Sequence, residues 1–224
     1  MIYILNIETS TTVCSVSLSK NGELLCFREL DDGFTHAENL HLFVQEVVLE
    51  SGVSLQKLSA VAVSKGPGSY TGLRIGVSAA KGLAYALKLP LISVDTLKLM
   101  CNHPLLQKLN GAYFCPMIDA RRMEVYTSLY DTELNQILPT EALIIDENSA
   151  LKFKDYARIF FFGNGMNKCR DILKKLVNAD FVENVNPSAQ YMCSLSYEKF
   201  SARKFEDVAY FEPFYLKDFL MLKK

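Results

Sequence analysis

"LSAVAVSKGPGSYTGLRIGVSAAKGLAYALKLPLISV", residues 58–94, sets the fold class. An apolar run rich in Val and Ala reaches Gly66, a turn holds Gly66, Pro67 and Gly68, a helical stretch runs from Leu73 to Leu87, and Pro90 ends it before a second β-branched run. Strand, glycine turn, helix and strand in that order are the unit of an α/β fold. A glycine turn that opens a helix invites a phosphate-loop reading, but the spacing rejects both common forms. The dinucleotide fingerprint places two residues between its second and third glycines, whereas Ser69, Tyr70 and Thr71 separate Gly68 from Gly72. A Walker loop places four residues between its glycines and then Lys-Ser or Lys-Thr, whereas five lie between Gly66 and Gly72, and Leu73-Arg74 follows.

The helix carries Gly72, Gly76, Ala80 and Ala84 at every fourth position. A glycine inside a helix costs about 1 kcal/mol relative to alanine, so this smooth ridge is expected to let another backbone come close. Either it packs against the sheet, or it meets a helix across an interface. The interface reading assigns His36, Leu40, Gly72, Gly76, Ala80 and Ala84 to a partner-binding surface.

Upstream, Ile2–Glu8, Val13–Ser19 and Glu23–Leu30 read as consecutive strands. A helix follows, opened by Thr35 and Glu38 in capping-box spacing and striped by Leu40, Phe43, Val44, Val47 and Val48. A third helix is expected from Leu97 to about Leu109. The second half starts again with strands at 112–119 and 123–131, a weaker strand, a buried strand ending on Gly163 and Gly165, and a helix over 166–177. The order of the first half thus recurs in shortened form, with no sequence repeat of fixed period. Lobes of 1–104 and 105–224 are expected.

Half of the 224 residues are hydrophobic and the net charge is −1, which argues against a free-standing nucleic-acid binder. The six cysteines are dispersed without a C-x-x-C pair and read as reduced core residues. The amino terminus lacks the pattern of a signal peptide, and no apolar run approaches the ~18 residues that span a bilayer, so a cytoplasmic protein is expected. His36 and His41 lie about 140° apart on their helix and do not form the i, i+4 pair of a metal site. They read as a helix-end contact and a surface or interface side chain, and His103, before Pro104, reads as an exposed loop residue. Asp119 and Arg121, at a strand end, read as an ion pair tying the hairpin or as ligand contacts. Glu8, Thr9 and Ser10 occupy a tight turn, where they either hold a phosphate or Mg²⁺ or satisfy turn amides. With Gly163 and Gly165 they make a possible vestigial nucleotide loop.

"ILNIETSTTVCSVSL" (4–18), "KGPGSYTGLRIGVSAAKGLA" (65–84), "IDARRMEVY" (118–126), "GNG" (163–165) and "EPFYLKDF" (212–219) together resemble the motifs of the bacterial TsaB (YeaZ-type) family. The resemblance implies an actin-like ATPase or sugar-kinase-like fold with duplicated ribonuclease-H-like lobes. It also implies a role in making threonylcarbamoyladenosine beside the tRNA anticodon. That role is the one of a non-catalytic dimerisation and activating subunit, beside a TsaD-type catalytic paralogue and a TsaE-type ATPase. ATP and metal then belong to the partner subunits, tRNA is met only through the complex, and the isolated chain forms a homodimer. The catalytic paralogue carries an H-x-x-x-H metal pair after the strand that 89–94 resembles; here "VDTLKLM" (94–100) puts Thr96 and Met100 at those positions. Neither side chain replaces imidazole on such a cation. The rival reading is a small-molecule kinase or ATPase of the same fold, resting on Glu8, Thr9, Ser10, Gly163 and Gly165.

Overall fold

The structure is a computed structural model and describes residues 1–33, 35–109 and 111–217. Asp218 and Phe219, the end of the last family-like motif, lie outside the described residues. The first five strands are β1 (Tyr3–Glu8), β2 (Val13–Lys20), β3 (Glu23–Asp31), β4 (Ala60–Gly66) and β5 (Leu91–Asp95). They form one sheet in the order β3-β2-β1-β4-β5. β1 and β2 pair antiparallel, as do β2 and β3, while β4 lies parallel to both β1 and β5. The parallel pairs require crossovers, and α1 (His36–Ser51) and α2 (Tyr70–Leu87) supply them.

The second sheet repeats this plan. β6 (Ala112–Asp119), β7 (Glu124–Tyr130), β8 (Gln136–Ile144), β9 (Arg158–Phe162) and β10 (Ala179–Val182) lie in the order β10-β9-β6-β7-β8. Again the first strand is central, with an antiparallel meander on one side and parallel strands on the other. Its crossover helices are shorter: α4 (Glu147–Ala150) replaces α1, and α5 (Met166–Leu173) replaces α2, with α3 (Thr96–Cys101) standing between the two halves of the chain.

Alternation along the strands divides the core. Leu5 and Ile7 of β1 join Val44, Val47, Val77 and Ala80 of α1 and α2 on the outer face of the first sheet. Ile4, Ala62 and Val94 face inward and meet Leu97 and Met100 of α3, and beyond them Phe114, Ile118 and Phe162 of the second sheet. A third cluster lies under α4 and α5.

Four local expectations are corrected. α3 ends at Cys101 rather than near Leu109, because Pro104 disfavours helical backbone at His103. α5 ends at Leu173, short of Val177. The capping box at α1 does not form: Thr35 Oγ1 donates to the Asp32 carbonyl instead. α2 begins earlier than expected, at Tyr70, where Ser69 Oγ accepts the Gly72 amide.

The chain after β10 does not stay with the second sheet. The turn Ala189–Met192 and α6 (Cys193–Ser201) pack on the first sheet. Glu206 then bridges to Leu91 on the edge strand β5. A boundary near residue 105 falls between α3 and β6, but residues 189–215 return to the first lobe.

Candidate functional site

The turn after β1 and the glycine turn before α2 close on one another. Glu8, Thr9 and Ser10 have no exposed surface. A Cβ placed on Gly68 would stand 2.3 Å from the Ser10 carbonyl oxygen, one on Gly72 2.1 Å from that of Thr9, and one on Gly76 2.2 Å from Thr9 Oγ1. These glycines are therefore dictated by the backbone they touch. Two of the turn's polar groups are used in the same contact: Ser69 N donates to Ser10 O at 2.7 Å, and Thr9 Oγ1 donates to Gly72 O at 2.8 Å. His36 Nε2 donates to Thr11 O at 2.7 Å. Burial raises the pKa of Glu8, opposed by its contacts with Ser10 and Ser64. A phosphate site needs amides aimed at open space; here the amides of Ser69 and Gly72 are bonded within the chain.

The small-residue ridge belongs to this core. Gly72, Gly76, Ala80 and Ala84 are buried against their own lobe, as are His36 and Leu40 of α1. The expectation that these six line a partner surface is corrected, because the chain itself covers them. Leu73 and Val77, buried beside the ridge, were the sequence signal that it faces inward. The outward face of α2 carries a second small stripe, Ser78, Gly82 and Ala86, all exposed. Nothing lies within 4 Å of a Cβ built on Gly82. Nearby exposed apolar groups are Tyr85 (81%) on α2 and Leu42 (53%) and Leu49 (83%) on α1.

The second lobe repeats the closure with other parts. Gly163, with φ +101°, would place a Cβ 2.4 Å from Met117 O, and Gly165 would place one 2.9 Å from both the Ile118 carbonyl carbon and Val125 Cγ1. Gly165 N donates to Met117 O, and Asp119 N donates to Asn164 Oδ1, each at 2.9 Å. Glu8, Thr9, Ser10, Gly163 and Gly165 thus lie in two separate turns, each filled by its own lobe.

The β6–β7 turn is open. Asp119 forms no ion pair with Arg121; its carboxylate accepts the Arg121 amide at 2.8 Å and pairs with Lys168 of α5. That pairing joins positions 49 apart in the chain and has no signature in local sequence. Arg121 (φ +70°) and Arg122 (φ +49°) are both left-handed and exposed.

A strap formed by residues 205–217 joins the lobes. Lys81 Nζ donates to the carbonyls of Ala209 and Phe211 at 3.1 and 2.9 Å. Phe214 N donates to Lys65 O at 2.7 Å, and a Cβ on Gly66 would lie 2.7 Å from Phe214 O, so Gly66 is the seat of the strap. Tyr215 packs on Tyr70 with ring centroids 5.0 Å apart, and Lys217 pairs with Glu124 at the start of β7.

The remaining candidates fall into the core or onto the surface. Thr96 and Met100 are fully buried. Among the described residues no group of three His, Cys, Asp or Glu side chains is placed to hold a metal ion. His41 is exposed. His103, expected in an open loop, is buried: its ring packs at a tilt against Tyr191 with centroids 4.5 Å apart, Nδ1 accepts the Leu105 amide, and burial lowers its pKa. All six cysteines are free and buried, and burial pushes the thiols of Cys14 and Cys115 up to about 12. Among the described residues no helix is long and apolar enough to cross a membrane.

Two sheets with one shared strand order, each crossed by helices, define a two-lobed α/β fold of the actin-like ATPase and sugar-kinase-like class. A ROK family protein from Streptococcus pneumoniae shares this fold at a TM-score of 0.50 and 9% identity, over 91% of this chain and 99% of that one. Within the class, residues 34–219 match the family described as TsaD, tRNA N6-adenosine threonylcarbamoyltransferase. The tRNA threonylcarbamoyladenosine biosynthesis protein TsaB of Escherichia coli K12 is 34% identical, over 99% of this chain and 97% of the relative. The solved structure of YeaZ from Pseudomonas aeruginosa superposes at a TM-score of 0.83 with 28% identity, covering 96% and 100% of the two chains. The chain belongs to the TsaB (YeaZ-type) family.

Proposed function

We propose that this chain is the non-catalytic dimerisation and activating subunit of a complex that transfers threonylcarbamoyl to N6 of the adenosine adjacent to the tRNA anticodon. It docks on a TsaD-type catalytic paralogue and works with a TsaE-type ATPase, which hold the metal and the ATP; alone it pairs with a second copy of itself. One observation carries the reading: the β1–β2 turn, where a kinase of this fold would receive a phosphate, is filled by the chain's own α2 at Gly72 and Gly76. The docking surface is the outer face of α1 and α2, where Gly82, Tyr85, Leu42 and Leu49 are exposed. A glycine with nothing over it gains no packing within the chain, and a helix pressed close from outside explains it.

Titration calorimetry with ATP and Mg²⁺ tests the first half; micromolar binding by the isolated chain would favour a kinase instead. Gly82→Leu tests the second. Association with the catalytic subunit is expected to weaken by a factor of roughly 5 to 150, the equivalent of ~1–3 kcal/mol of overpacking, with the melting temperature within a few degrees of wild type. An unchanged affinity would move the interface elsewhere.

A further inference from the structure

The strap, the amino end of α2 and the β6–β7 turn meet on one surface that subunit docking leaves unassigned. Arg74 hydrogen-bonds the Tyr70 hydroxyl at 2.9 Å, Tyr70 packs on Tyr215, and Lys217 two residues further on reaches Glu124. Tyr126, opposite Ile118 across the hairpin, lies within electrostatic reach of Lys217, Glu124 and Arg121. Phe214 and Tyr215 are exposed.

The charge on this surface is not balanced. Lys217 is paired with Glu124, Lys168 with Asp119 and Lys65 with Asp95. Arg74, Arg121 and Arg122 form no ion pair among the described residues, and Glu212 lies within electrostatic reach of Tyr215, as Arg74 does. In a chain of net charge −1, three guanidiniums interleaved with exposed aromatic rings are a local exception. The two turn arginines also occupy successive left-handed positions, where Asn-Gly is the low-strain choice in a hairpin. Backbone geometry does not account for arginine at either one.

We propose that this surface binds single-stranded RNA, Arg121, Arg122 and Arg74 taking phosphates while Phe214 and Tyr215 stack on unpaired bases. Cations that follow a backbone and rings that accept any base are the two parts of such sites. An acidic protein surface would need the cations and gain little from the rings. The inference rests on the function proposed above, in which the substrate base lies in a tRNA loop, and it gives this chain a direct contact within the complex.

The test uses the complex assembled with the catalytic subunit and the ATPase, and a labelled tRNA reading a codon that begins with A. The chain carries Arg121→Asn with Arg122→Gly, a pair suited to the left-handed turn, so its melting temperature is expected to equal or exceed that of wild type. The dissociation constant for tRNA is expected to rise about tenfold, and the salt dependence of log K to flatten by roughly 1.4 to 1.8, the loss of two phosphate contacts. Tyr215→Ala is expected to weaken binding severalfold with the salt dependence unchanged. Unaltered tRNA affinity and salt slope in an intact complex would overturn the inference, as would loss of the ATPase with tRNA binding intact, which would mark an acidic protein as the occupant. If the wild-type chain fails to join the catalytic subunit, the proposed function fails. The same titration on the isolated chain at low salt then decides the RNA surface alone: a loss with the turn variant supports it, and equal binding rejects it.

Discussion

The two lobes share a strand order and differ at the turn after their central strand. In the first, Glu8–Ser10 is sealed by an 18-residue α2 whose glycines touch its backbone. In the second, α5 has eight residues and the turn at Asp119–Arg122 remains open, held by Lys168. Close backbone approach buries a turn and removes it from use as a binding site. A side-chain ion pair fixes a turn while leaving its side chains, here Arg121 and Arg122, exposed. Shared topology therefore does not imply shared use: the position that is core in one lobe is surface in the other.

The sharpest way to break this comparison is to put bulk into the sealed turn. Gly76→Leu is expected to lower stability by roughly 3 kcal/mol, the upper end of overpacking, since even a Cβ meets Thr9 Oγ1 at 2.2 Å. Thermal melting of the variant checks it. A melting temperature near that of wild type would show that the first turn can open.

A second effect, read as a direction, concerns the acid inside that turn. The pKa of Glu8 is raised in the fold, chiefly by burial, so the folded chain holds this proton more tightly than the unfolded one. That contribution to stability is fully present below the ordinary carboxylate pKa and is lost as pH rises through the raised value. Glu8→Gln is expected to remove this loss, gaining on wild type at pH 8 relative to pH 4. Parallel melting curves across that range measure it, and identical pH profiles would mean that Glu8 ionises freely.

The smallest effect belongs to the open turn. Lys168→Met breaks a partly exposed pair with Asp119 and is expected to cost about 1 kcal/mol or less. A cost comparable to Gly76→Leu would erase the contrast between the lobes.

What the sequence disclosed follows from the range of each interaction. Element order, the glycine turns and the doubled layout were legible because alternation and turn residues act locally. The facing of the α2 ridge was not settled by its small residues, since Gly72 and Gly76 suit a sheet, a turn or a partner equally well; Leu73 and Val77 beside them carried the answer. His103 read as exposed because its cover, Tyr191, lies far along the chain. The Lys168–Asp119 pair, whose members are 49 positions apart in the chain, and the strap over Gly66 were hidden for the same reason.

The return of residues 189–215 to the first lobe has a consequence for synthesis. A ribosome delivers β1 to β5 early, yet the bridge that covers the edge of β5 at Leu91 comes from Glu206, and the contact that fills the space at Gly66 comes from Phe214. Until those residues emerge, the nascent first lobe presents an unpaired strand edge and an unfilled turn, the kind of surface that recruits chaperones or misassembles. A segment translated long after β5 is thus what completes the first lobe, and closure of that lobe waits on chain that follows the whole second sheet.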